Sequence, residues 1–203
     1  MATDPEQFRW NLGAPLAGDR AVASQSTVLE GKRIALLVTG GIAACRTPML
    51  ARAIRKAGAE VFPIVTPAGL SFVASSSLAW SCANDVVTTL DSRAQHVELA
   101  AIDAYLVAPA TYSTIGKLAH GIADNAVTTT LATALGRVES GQSAILLAPA
   151  MHGSMANALL RRNLATIVDL GCTVIPPKGE DCKAKLPDDD VLIDALVAAL
   201  AAG

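Results

Sequence analysis

The amino-acid sequence predicts an α/β fold: a single doubly wound parallel sheet with helices on both faces. Three observations carry this. Short apolar runs such as Ile34-Ala35-Leu36-Leu37-Val38 lack polar alternation, the pattern of a strand buried on both faces. Longer stretches between these runs read as helices, and strands alternating with helices build a parallel sheet. Hydrophobic residues make up 52% of the chain while aromatics make up only 3%. Such a core is built from small side chains, which favours close helix–sheet packing and burial between subunits.

Residues 1–30 carry Pro5, Gly13, Pro15 and Gly18 with no sustained period, so they read as an extended arm preceding a domain at 31–203. Within the arm, Phe8, Trp10 and Leu12 alternate in a way suited to pinning it to a surface. The first strand, 34–38, ends at Thr39-Gly40-Gly41. Residues 42–56 read as a helix with Gly58 as its stop, and Pro48 inside it predicts a kink or a delayed start. Residues 60–65 form the second strand, with Thr66-Pro67-Ala68-Gly69 as its exit loop. Strands follow at 103–108, 144–148 and 173–175, and helices at 113–119, 125–135, 154–170 and 189–202.

Composition excludes several classes. With 17% charged residues the chain is neither disordered nor a coiled coil. A net charge of −2 argues against nucleic acid as a partner, since counterion release needs a concentrated basic surface. No apolar run reaches the roughly 20 residues of a membrane span, and the start lacks a secretory pattern, so a cytoplasmic protein without a membrane partner is expected. Cys45, Cys82, Cys172 and Cys182 lie far apart without a CxxC, so neither a metal site nor a disulfide framework is signalled. Cys45, Cys82 and Cys172 are expected to act as small buried hydrophobes.

A doubly wound sheet binds its ligand outside the carboxyl ends of its strands. Thr39-Gly40-Gly41, Thr66-Pro67-Ala68-Gly69, the segment from Pro109 to Thr114, and Pro149-Ala150-Met151-His152 fall there, which makes a pocket of nucleotide size. Gly40-Gly41 serves either the sterics of the turn or the close approach of an anion to helix N–H groups. There is no GxGxxG and no GxxxxGK[ST], and Thr66 stands where a dinucleotide site carries an acid. A mononucleotide fits better. The hydroxyls of Thr111, Ser113 and Thr114 follow a buried strand and open a helix, supplying caps and donors for a phosphate.

The stretch from Ala108 to Thr130 resembles the Pro-Ala-(Ser/Thr)-Ala-Asn-Thr motif and the Gly-Ile-Ala-Asp-(Asn/Asp) helix of the flavin-containing cysteine decarboxylases. Ala148-Pro-Ala-Met-His-Gly-Ser-Met155 is similar to that family's Ala-Pro-Ala-Met-Asn-x-x-Met, and His96-Val-Glu-Leu99 to its His-x-x-Leu. The Thr-Gly-Gly-Ile-Ala-Ala turn at 39–44 also fits. The resemblance covers about residues 31–200. It implies a flavodoxin-like fold, bound FMN, a thiol substrate, and a homotrimer or dodecamer with sites between subunits. On this resemblance Gly40, Gly41 and the Ser113 and Thr114 hydroxyls hold the FMN phosphate. Thr66, Ala68 and Ala150 hold the ring, and Ile42, Thr111 and Tyr112 complete the cofactor set. The substrate is a phosphopantothenoylcysteine- or peptidyl-cysteine-like compound that meets Met151 and His152, and the flavin takes two electrons from its cysteine before CO₂ is lost.

His96 is the leading catalytic residue, an imidazole able to relay protons near neutral pH; outside its motif it would read as a surface cap. His120 reads as a packing or solvent residue. Cys182 falls where the family's flap carries a cysteine, but the neighbouring Leu-Ala and the glycines are missing, so it is either catalytic or a bystander thiol. Ser113 and His152 stand at positions where the family has Asn. In the family the Asn at the His152 position grips the substrate carboxylate and backbone with a carboxamide that offers a donor and an acceptor on one flat group; a histidine supplies either, or a positive charge, with different reach. The alternatives are a flavin prenyltransferase, a flavin reductase, or a non-catalytic flavin-binding regulatory subunit.

Overall fold

The computed structural model describes residues 18, 20–90, 102–180 and 182–201. Phe8, Trp10 and Leu12 of the expected arm, and His96, lie outside these residues. In chain order the elements are β1 (Arg33–Val38), a 3-10 turn (Ile42–Arg46), α1 (Thr47–Lys56), β2 (Glu60–Val65), α2 (Ser75–Cys82) and β3 (Ala104–Ala110). There follow α3 (Tyr112–Ala119), α4 (Ala126–Glu139), β4 (Ala144–Pro149), β5 (Met151–His152) and α5 (Ala158–Asp169). The chain closes with β6 (Thr173–Val174), β7 (Lys178–Glu180), β8 (Lys183–Lys185) and α6 (Asp189–Ala201).

The main sheet has the order β2-β1-β3-β4-β6, all parallel. The chain steps outward from β1 to β2 and then returns to β3 on the other side of β1. The topology therefore switches between β1 and β3, where such sheets open a crevice. A second small antiparallel sheet, β5-β8-β7, stands beside it.

Period-2 alternation splits the central strands between two cores. Leu36 and Val38 face Leu50 and Ile54 of α1 and Leu192 and Leu196 of α6. Leu37 and Val107 face Ile115 of α3, Leu131 of α4 and Ile167 of α5. Residues from Ile34 to Val38 are all fully buried, as a continuous apolar run demands. Before β1, Leu29 is buried and the Gln25 and Ser26 amides donate to the Lys56 carbonyl at 2.8 and 3.2 Å, closing the end of α1.

The structure departs from the expected elements in identifiable ways. The helix expected from residue 42 begins as a 3-10 turn. True α geometry starts at Thr47, with Pro48 in the first turn where its missing N–H costs nothing. The helix expected from 154 starts at Ala158, where the Asn157 side chain accepts the Leu160 N–H at 3.0 Å. The α4 start carries a capping box between Asn125 and Thr128. Helix α2 and the β7–β8 hairpin were not expected. Cys82 and Cys172 are buried as anticipated, and desolvation pushes their thiols up to about 12 and about 11.

Candidate functional site

A cavity of about 1050 Å³ opens at the carboxyl ends of β1, β2, β3 and β4. One wall is built from backbone and small residues. Gly40 packs so closely on the β2 exit loop that a Cβ there would lie 2.5 Å from the Ala68 Cβ. Thr66 is buried, and its Oγ1 accepts the Gly69 N–H at 3.0 Å, so the hydroxyl is engaged in holding its own turn. Thr39 Oγ1 donates to the Pro109 carbonyl at 2.7 Å and accepts the Thr111 N–H at 3.2 Å, tying the exits of β1 and β3 together.

Thr111 is the N-cap of α3, but its side chain makes no capping bond to the helix and instead stands 3.1 Å from Thr114 Oγ1. The first-turn amides of α3 thus lack a side-chain cap. Unpaired N–H groups and the positive end of the helix dipole face the cavity together with the exposed Ser113. This arrangement has the chemistry to receive an anion.

The opposite walls carry side chains. Lys117 donates to Asp124 at 2.6 Å, and that hydrogen bond, with the ammonium charge behind it, holds the Asp124 carboxyl below its ordinary range. Tyr112 Oη donates to Asn157 Oδ1 at 3.3 Å. The third wall is β5 with the β7–β8 flap. Met151 pairs with Ala184 and His152 with Lys183, and the Gly153 N–H donates to the Cys182 carbonyl at 2.9 Å. A Cβ on Gly153 would collide with that carbonyl oxygen, so glycine is needed for the flap to dock. Cys182 holds the turn with a left-handed φ of 56°.

The residues expected to hold the cofactor, with Met151 and His152, all line this one cavity. Cys182 does not line it; its thiol is exposed at the flap tip beside Lys183. His120 is exposed, its Nδ1 2.8 Å from the Gly116 carbonyl, consistent with a solvent role. Cys45 corrects the expectation of burial. It is exposed and lines the cavity, because the 3-10 turn presents it differently from a regular helix. Lys117, Asp124 and Asn125 were not singled out as site residues, although Asp124-Asn125 closes the Gly-Ile-Ala-Asp-Asn stretch; Lys117 carried no signal. Among the described residues there is no cluster of side chains suited to a metal. No described helix is long and apolar enough to cross a membrane.

A doubly wound sheet with a nucleotide-sized crevice at its switch point, walled by glycines and an uncapped helix start, defines a mononucleotide-binding α/β protein. The match to known families narrows this. The family model named Flavoprotein matches residues 22–201, and the chain belongs to that family. It is 34% identical over 177 residues to the coenzyme A biosynthesis bifunctional protein CoaBC of Thermococcus kodakarensis, covering 84% of this chain and 43% of the relative. The chain therefore spans less than half the length of the curated relatives it matches. Among solved structures, TvaF, an FMN-dependent cysteine decarboxylase from thioviridamide biosynthesis, is 30% identical with a TM-score of 0.69, covering 85% of this chain and 99% of that one. SpaF, described in the same terms, has a TM-score of 0.72 at 23% identity, over 85% of this chain and 99% of its own, and speaks for the fold.

Proposed function

We propose that the protein binds FMN in this cavity and oxidatively decarboxylates a substrate carrying a cysteine-like thiol and its carboxylate. The observation that carries the reading is the junction of two unlike walls in a Flavoprotein-family chain. One is an anion-receiving wall of Gly40, Gly41 and the α3 N-terminus; the other is a side-chain wall of Met151, His152 and the flap. The first fits FMN because it leaves room and donors where a phosphate would sit. Bound FMN would supply a two-electron acceptor for the thiol, and oxidation at sulfur places an electron sink beside the carboxylate.

The chain's own residues bind and orient. The uncapped amides of α3 and the Ser113 hydroxyl hold the phosphate end. Ile42, Thr66, Ala68, Thr111, Tyr112 and Ala150 shape the ring site, and Met151 packs on the substrate. His96 handles the proton, an assignment resting on the His96-Val-Glu-Leu99 motif, and Cys182 on the flap is the second candidate. A cytoplasmic homotrimer is part of this reading. The exposed apolar side chains of Ile42 and Met155, which line the cavity, support a subunit contact there. The relatives at 30% identity or above include a CoaBC protein and a cysteine decarboxylase, which favours this reading over a prenyltransferase, a reductase or a regulatory subunit.

The purified protein is expected to be yellow and to release FMN on heating. His96→Asn should abolish CO₂ release from a peptide ending in cysteine while leaving FMN bound, because a proton relay acts in the transition state without holding the cofactor. A colourless protein that takes up no FMN overturns the reading.

A further inference from the structure

The flap, residues 178–185, is held at its roots as well as along β5. Pro176 and Pro177 lead into it, and Leu186 and Pro187 behind it are buried. Across the two roots the Lys178 ammonium donates to Asp188 Oδ2 at 2.8 Å. Both partners are exposed, so water screens that pair and it holds the flap weakly. A stronger hold comes from elsewhere in the fold. Arg46 Nη1 donates to the Leu186 carbonyl at 2.8 Å, and Nη2 donates to Asp189 Oδ1 at 3.2 Å. One guanidinium thus grips the carbonyl where the flap ends and a first-turn carboxylate of α6.

Arg46 is also the last residue of the 3-10 turn that starts directly after Gly40-Gly41. One side chain therefore joins the cofactor wall to the flap's exit root, and both Gly41 and Leu186 line the same cavity. The turn is five residues long. Its far end is fixed, because Ala44 and Thr47 are buried and the Thr47 hydroxyl donates to the Ala44 carbonyl at 2.7 Å. Its near end is not: the N-cap is Gly41, which has no side chain to hold the turn, and Ile42 is exposed. A cofactor packed against Gly41 and Ile42 restricts that end, and close packing passes the restriction along so short a unit to Arg46. The two terminal nitrogens of Arg46 are engaged at the flap root, which makes it a positioning residue. A lysine there would keep the charge but lose the planar fork that spans two acceptors.

We propose that Arg46 couples the cofactor turn to the flap, so that FMN favours the docked flap and the docked flap favours retention of FMN. Linkage makes the two effects equal in size. The proposal rests on FMN occupying this cavity and adds how the wall opposite the cofactor is assembled. Lys183, Ala184 and Lys185 of the flap belong to the cavity lining, so docking of the flap completes that wall. Arg46 thereby makes a finished substrate wall conditional on a loaded cofactor.

The test is limited trypsin digestion of the full chain, stripped of FMN and then saturated with it, read by mass spectrometry. Trypsin cuts after Lys183 and Lys185 only when the flap opens, so the rate of cutting follows the open population. FMN should slow both cuts in the parent. Arg46→Gln should speed them roughly ten-fold, the scale of one charge-assisted hydrogen bond, and should abolish the protection by FMN. Fluorescence titration of Arg46→Gln should show FMN affinity weakened by about the factor of protection lost. Arg46→Lys should fall between parent and Arg46→Gln. Asp189→Asn, which removes one acceptor of the fork and does not alter the cavity lining, should speed cutting less and add nothing to Arg46→Gln. Failure to take up FMN overturns the reading of the cavity and the coupling with it. FMN uptake without protection of the flap, or with the same protection in Arg46→Gln, overturns the coupling alone. So does equal acceleration in Arg46→Gln of the cut after Arg137 in α4, which reports loss of the whole fold.

Discussion

Gly40 and Gly41 are adjacent, yet the structure assigns them different tasks, and alanine at each position separates the two. A Cβ at Gly40 would meet the Ala68 Cβ at 2.5 Å and its carbonyl carbon at 3.0 Å. Carbon atoms in favourable contact lie near 3.5 Å or beyond, so the β1 and β2 exit loops must separate by about 1 Å. Neither obstructing atom is the end of a flexible side chain. The cost is that of overpacking, roughly 1–3 kcal/mol. For a chain of this length that corresponds to a fall in melting temperature of about 2–12 °C. At Gly41 the backbone is extended, with φ −160°, and the nearest atom to a new Cβ is Thr111 Cγ2 at 3.6 Å, an ordinary contact. Gly41→Ala therefore introduces no strain, and the stiffer unfolded chain stabilises it by about 0.4–1 kcal/mol. The added methyl stands on the cavity wall, so FMN binding should weaken. Differential scanning fluorimetry of FMN-free protein, with fluorescence titration of FMN, measures both quantities. Gly40→Ala should melt early and bind FMN poorly; Gly41→Ala should melt at or above the parent temperature and bind FMN less tightly. Equal melting temperatures for the two variants would refute the close approach of the loops.

Two further predictions follow from charge and burial. In native protein near pH 8 a thiol reagent should modify the exposed Cys45 and Cys182 and spare Cys82 and Cys172, whose thiols burial pushes up to about 12 and about 11; denaturant should release all four, as intact-mass spectrometry would show. Because Lys117 lowers the folded pKa of Asp124, the pair's stabilisation is fully present above the ordinary carboxylate pKa near 4 and fades as pH falls through the lowered value. Asp124→Asn should then melt below the parent at neutral pH and converge with it in strong acid, and a difference that grows on acidification would count against the pair.

The sheet was legible because burial on both faces leaves no polar residue to confuse the reading: residues 60–65 were expected and are β2, and 34–38 falls within β1. The glycine and hydroxyl loops were legible because the crevice must lie at the carboxyl edge. What escaped depends on distant partners. Helix α2 opens with Ser75-Ser76-Ser77, which gives no amphipathic period, and it is held from outside, through the Ser81 carbonyl receiving Arg55 at 3.0 Å. The β7–β8 flap is short, charged and exposed, and it owes its place to Gly153 and β5, some thirty residues earlier in the chain. Cys45 was misplaced for a local reason. A 3-10 turn advances 120° per residue where an α-helix advances 100°, so a face inferred from α periodicity is wrong there.

The two walls of the cavity differ in how much they depend on side-chain identity. The wall proposed for FMN offers backbone amides, a helix start without a side-chain cap and no Cβ atoms at Gly40 and Gly41, none of which specifies a substrate. The opposite wall offers side chains, Met151 and His152 among them, which lie outside the main sheet. On the proposed reading, substitution on that wall changes which molecule is oriented, whereas substitution on the first weakens cofactor binding. On that same reading, His152 in place of a carboxamide changes substrate recognition and leaves the cofactor wall untouched. Among the described residues the flap's ladder to the rest of the molecule runs through β5, so the residue at 152 and the residue facing it are set in register together.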